Sequence, residues 1–93
     1  MTTTDIQSLR HRIDALDREL VELLVRRYAV VKEVASLKRK TGMPVLQPKR
    51  VTEVLESRSR WAEELDLDPE QVRGVFEKLI FWACQEEDQH VRG

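Results

Sequence analysis

The sequence predicts an all-α protein, a three-helix protomer with one long N-terminal helix, paired with a second copy of itself as a homodimer. Three observations predict it. Apolar residues recur at helical spacing through almost the whole chain, strand signals are confined to Met43-Pro44-Val45-Leu46, and the first helical stretch is too long for a 93-residue monomer to cover. The length bounds the chain to a single domain over residues 1–93. A domain of that size buries a limited core and commonly needs a partner, a metal or a disulfide.

The first helix is expected to open at Thr4, an N-cap with Gln7 three residues on to close a capping box. It stops at Gly42, with Lys38, Arg39 and Lys40 in its last turn, where cations suit the helix dipole. Its span of roughly 37 residues corresponds to ~55 Å, against a radius of gyration of ~12 Å for a compact monomer of this size. Its seam reads Leu9, Ile13, Leu16, Leu20, Leu23, Arg27, Val30, Val34, Leu37, in alternating steps of four and three. That is a heptad-type stripe, and two short helices cannot cover all of it, so a second copy is expected to.

Met43–Leu46 is flanked by Gly42 and Pro48 and reads as a loop. The second helix starts near Gln47-Pro48 and runs to about Glu64, with Val51, Val54, Leu55 and Trp61 apolar. The segment Leu65-Asp66-Leu67-Asp68-Pro69 is a break. Asp68 then serves as N-cap, Pro69 as first residue and Gln71 as the third-position partner of a third helix reaching about His90. Val72, Val75, Phe76, Leu79, Ile80, Ala83 and Cys84 form its apolar face.

The charge balance, 16 basic against 17 acidic residues, argues against nucleic acid as the main ligand. No apolar run approaches the ~18 residues of a membrane span. The first residues lack the basic and apolar regions of a signal peptide. The lone Cys84 excludes an intrachain disulfide, and a cytoplasmic setting is expected.

One member of the seam is charged. Arg27 at a heptad core position is costly unless it is paired or serves a ligand. Either a carboxylate on another helix meets it or it awaits an anion. Lys38, eleven residues on, projects from the same face about 16 Å away, a gap that two long cationic side chains can close around a small polyanion. Arg10 and Arg50, each taken alone, read as solvated surface charges. His11 and His90 lack partners at metal-ligand spacing and read as surface histidines, and Cys84 reads as a small buried hydrophobe. Trp61 and Trp82 either flank a site or cap the core, with core the favoured reading. The Lys38-Arg39-Lys40 cluster is better explained by a helix C-terminus than by RNA binding or nuclear targeting.

Leu9-Arg10-His11-Arg12-Ile13-Asp14-Ala15-Leu16-Asp17, Leu23-Leu24-Val25-Arg26-Arg27, Val34-Ala35-Ser36-Leu37-Lys38 and Pro44-Val45-Leu46-Gln47-Pro48-Lys49-Arg50 occur in that order. Together they resemble the all-helical chorismate mutases, over about Leu9 to Glu87. The resemblance implies an intertwined homodimer with two sites, each lined by both chains. It implies that Arg10 from one chain, with Arg27 and Arg50 from the other, holds the two carboxylates of a small dicarboxylate substrate, and that Lys38 addresses its ether oxygen. Arginine suits the first task because its planar fork grips a carboxylate in two places. The implied reaction is a cofactor-free Claisen rearrangement. One C–O bond breaks as one C–C bond forms, so neither nucleophile nor metal is required. Holding the compact conformer and stabilising charge on the ether oxygen are sufficient.

Departures from the family pattern bear on the substrate. Val51 follows Arg50 where a glutamate associated with the C4 hydroxyl is usual, Gln47 stands for an aspartate, and Ala83 and Glu87 stand for a serine and a glutamine. The stretches around Gln47–Val51 and Cys84–Asp88 resemble the 4-amino-4-deoxychorismate mutases, which favours the 4-amino substrate slightly over chorismate. Arg50-Val51, Arg60–Glu64 and Trp82 also resemble the isochorismate pyruvate lyases, though Glu87 replaces their glutamine. Beside a developing oxyanion Glu87 is expected to act protonated, its pKa raised by the substrate's carboxylates. Activity then falls as pH rises, and Glu87→Gln flattens the fall. The competing readings are a surface glutamate at position 87 and, for the whole chain, a non-catalytic helical dimerisation module.

Overall fold

The computed structural model describes the backbone of residues 5–92 and the side chains up to Asp88. Three helices follow one another: α1 (Ile6–Thr41), α2 (Pro48–Glu64) and α3 (Pro69–Arg92). The chain divides into two units, Met1–Val30 and Val31–Gly93.

The first unit is the opening part of α1. The expected cap Thr4 lies outside the described residues, and Asp5 fills the role: its Oδ1 accepts Ser8 N–H at 2.8 Å and its main-chain carbonyl accepts Leu9 N–H at 3.2 Å. An aspartate suits this place because it satisfies an orphan N–H and adds negative charge where the helix dipole favours it. The apolar stripe of this unit stands in solvent: Leu9, Ile13, Leu16, Leu20 and Leu23 are all exposed. The i,i+4 pair Arg18–Glu22, 3.2 Å, lies on its polar side.

The second unit contains the end of α1, with α2 packed on α3. Its buried apolar side chains are Ala35, Val54, Leu55 and Ala62, and Ala35 has no exposure at all. α1 closes as the glycine predicts. Gly42 takes φ +73°, and Met43 N–H reaches back to Lys38 O at 3.1 Å, the long bond of a Schellman turn. α2 begins at Pro48 behind Gln47, whose carbonyl accepts the N–H groups of Arg50 and Val51 at 3.0 and 3.1 Å. It ends in a second Schellman turn with aspartate where glycine is usual: Asp66 has φ +59°, Asp66 N–H donates to Glu63 O, and Leu67 N–H donates to Ala62 O at 2.8 Å. Asp68 caps α3 as expected, accepting Glu70 N–H at 3.0 Å.

Several burial expectations are corrected. Trp61 is 48% exposed and Trp82 41%, so neither belongs to the core of the chain. Val75 is also exposed, because the side of α3 that carries it faces no other described element of the second unit. Cys84 is only half-buried. On α2 the core-facing line of Val54, Leu55 and Ala62 passes through Arg58, whose guanidinium lies 4.6 Å from the Trp61 ring centroid and 5.6 Å from that of Phe76. A planar, weakly hydrated cation stacks on aromatic faces at low desolvation cost, which is how an arginine is tolerated there. His90 falls among the side chains outside the described set. Among the described residues, no helix is long and apolar enough to cross a membrane.

Candidate active site

Lys38 lies in the last turn of α1, and Glu87 one turn past Ala83 on α3. The side chains meet: Lys38 Nζ stands 2.8 Å from Glu87 Oε1. They are 13% and 6% exposed respectively, so the pair is largely removed from solvent. Glu87 is the one polar residue among the described residues that is buried as a whole, so the surface-glutamate reading fails. The Lys38 ammonium also donates to Val45 O at 2.8 Å. That carbonyl comes from the loop that follows the Gly42 turn. The three groups therefore converge from α1, the 43–47 loop and α3.

Cys84 shares a helix face with Glu87, three residues before it, and it registers the pair. Burial, and then the negative charge of Glu87, push its thiol pKa up, while the Lys38 ammonium pulls it back in part. The thiol is thus held in its protonated, poorly nucleophilic form.

The remaining predicted residues are placed as follows. In the first unit, Arg10 is exposed and Arg27 half-buried, and among the described residues neither has an ion-pair partner. In the second unit, Arg50 is exposed and lies 3.7 Å from Glu53 one turn on. Exposed i,i+3 pairs of that length contribute little and are easily exchanged for a ligand. Val51 and Ala83 are half-buried and carry no hydrogen-bonding side chain. Gln47 is half-buried, its Nε2 reaching Pro44 O at 3.4 Å across the loop. Two features were missed in the sequence. One is the Lys38–Glu87 pairing itself, since positions 49 apart carry no local signal. The other is the Val45 carbonyl, a backbone group whose role depends on the path of the loop.

The described residues thus comprise three helices, an uncovered apolar stripe on α1 and, in the second unit, a sheltered lysine–glutamate pair beside a loop carbonyl. The chain matches the description "Chorismate mutase type II" over residues 9–88 and belongs to that family of isomerases. It is 35% identical over 89 residues to an isochorismate pyruvate lyase of Pseudomonas aeruginosa, covering 96% of this chain and 87% of that one. It is 32% identical over 84 residues to a 4-amino-4-deoxychorismate mutase of Streptomyces venezuelae, covering 90% and 82%. A T-protein of Enterobacter agglomerans is 33% identical over 76 residues, 82% of this chain but 20% of that protein, so the chain spans about a fifth of the length of that relative.

Proposed function

We propose that the chain catalyses the cofactor-free Claisen rearrangement of 4-amino-4-deoxychorismate or of chorismate, in a homodimer whose sites are shared between chains. The observation that carries this reading is the sequestered Lys38–Glu87 pair at 2.8 Å. Lys38 addresses the ether oxygen, where negative charge grows in the transition state. A fixed charged donor in a dry site supplies on the order of 2.7–4 kcal/mol of stabilisation, two to three factors of ten in rate. Glu87 Oε1, 2.8 Å from the ammonium, helps to fix its direction toward that oxygen. Arg27, Arg50 and Arg10 of the partner subunit grip the two carboxylates. Val51 and Ala83 shape the remaining surface, and Gln47 supplies an amide near the entrance of α2.

Charge favours the 4-amino substrate. An ionised Glu87 cancels Lys38 in the free chain, which leaves one positive charge fewer than a glutamine would. A substrate with two carboxylates and one ammonium needs less positive charge than a plain dicarboxylate. Val51, which cannot accept a hydrogen bond, fits the loss of the usual partner of a C4 hydroxyl. A second reading, elimination of pyruvate from isochorismate on the same fold, is supported by the 35% identity to the lyase.

The homodimer is supported by the uncovered stripe Leu9, Ile13, Leu16, Leu20 and Leu23. Five exposed large aliphatics in register on one helix strongly favour burial against a like surface. The test is product analysis with each of the three substrates. Rearranged product supports the proposal. Pyruvate from isochorismate with no rearrangement transfers the assignment to the lyase.

A further inference from the structure

We propose that the turn at Gly42 and the main-chain carbonyl of Val45 are positioning elements for Lys38, aiming its ammonium so that a single N–H is left for the substrate. The proposal rests on the role given to Lys38 above. Lys38 is tied to the following loop at both ends. Its main-chain carbonyl accepts Met43 N–H at 3.1 Å, and its Nζ donates to Val45 O at 2.8 Å, seven residues on. Glu87 Oε1 takes a second direction of the ammonium at 2.8 Å. An ammonium has three N–H donors and no acceptor, so two fixed acceptors leave one donor with a defined direction. Lysine otherwise carries its charge on a flexible four-carbon stem, and a donor that must find its place during the reaction is worth less than one already placed.

The loop returns to Lys38 because residue 42 takes φ +73°, the left-handed region. A Cβ added there would meet nothing within 4 Å. The demand for glycine is therefore conformational and not one of space, which makes the position a clean probe. Asparagine tolerates the left-handed region far better than alanine does.

The experiment compares the full chain with Gly42→Ala and Gly42→Asn, reading kcat, KM and the pH dependence of Cys84 alkylation. Cys84 is an activity-independent reporter, because Lys38 lowers and Glu87 raises its titration. In Gly42→Ala we expect kcat to fall on the order of tenfold or more with KM little changed, and the Cys84 titration to move to higher pH as the ammonium withdraws. Gly42→Asn should keep both close to the native values. Replacing Leu46 by its α-hydroxy acid, which weakens the Val45 carbonyl as an acceptor without touching the turn, should reproduce the alanine effects should Gly42→Ala fail to fold. An unmoved Cys84 titration in the alanine or ester variant overturns the proposal, whatever happens to stability. If the native chain turns over no substrate, the role of Lys38 in the reaction fails, and the Cys84 titration still decides whether Gly42 and Val45 hold its ammonium.

Discussion

At the scale of single residues the sheltered charges are Lys38 and Glu87. Each is sheltered, and each is the other's compensation. Removing one leaves the other's charge sequestered, so Lys38→Met alone should cost about 3 kcal/mol in urea denaturation, whereas Lys38→Met combined with Glu87→Leu should recover most of that loss. An additive double mutant would show that the pair is not energetically coupled. Cys84 reads the same pair through its thiol, which burial and Glu87 hold protonated. Taking away the carboxylate removes a raising influence and leaves the lowering one of Lys38. Glu87→Gln should therefore shift the alkylation midpoint of Cys84 to lower pH and speed its alkylation at neutral pH, as a thiol-reactive chromophore would report. The residue types were legible in the sequence, since Lys38 stands at a matched motif position and Glu87 at one where the family usually carries a glutamine. Their contact was not, because a pairing between helices depends on how α3 approaches the end of α1. Cys84 was read as a plain hydrophobe for the same reason: its charged neighbours lie far from it in sequence.

At the scale of elements, the ends of helices were the most readable features and also the place of the sharpest corrections. Gly42, Pro48, Asp68 and Pro69 each do what their chemistry predicts, since caps and turns are decided within a few residues. Thr4 and Asp5 are both good caps by type, and the hydrogen bond from Ser8 selects Asp5. The Schellman turn after α2 escaped notice because its left-handed residue is Asp66, not glycine. That choice carries a cost that glycine avoids, so Asp66→Gly should raise stability by about 0.5–1 kcal/mol, measured by chemical denaturation. A loss of stability would mean that the Asp66 side chain makes a compensating contact. Arg58 was unreadable for a different reason. Its position on the core-facing line of α2 appears only once Trp61 and Phe76 are seen to stack with it.

At the scale of the whole molecule, the seam of α1 was predicted to need a second copy, and in the single chain its first half is bare. The same reasoning accounts for the exposed tryptophans. Burial inferred from residue type presumes that something in the chain covers them, and no element of the second unit does. Introducing charge into the stripe, as Ile13→Lys with Leu16→Lys, should convert a sedimenting dimer into a monomer and abolish turnover together with assembly. A monomeric native chain would remove the shared site. Arg27 separates an enzyme from a mere dimerisation module. In a module, Arg27→Leu stabilises the dimer at no functional loss. In the enzyme it does so while ending turnover. The central claim, that the chain is a pericyclic enzyme in which Arg27 serves the substrate, is tested most directly by assaying the native chain and Arg27→Ala side by side on 4-amino-4-deoxychorismate, chorismate and isochorismate. The account predicts rearrangement of one of the first two, strongest for the 4-amino compound, and its loss in Arg27→Ala. Turnover that survives the substitution, or its absence with all three substrates, would contradict it.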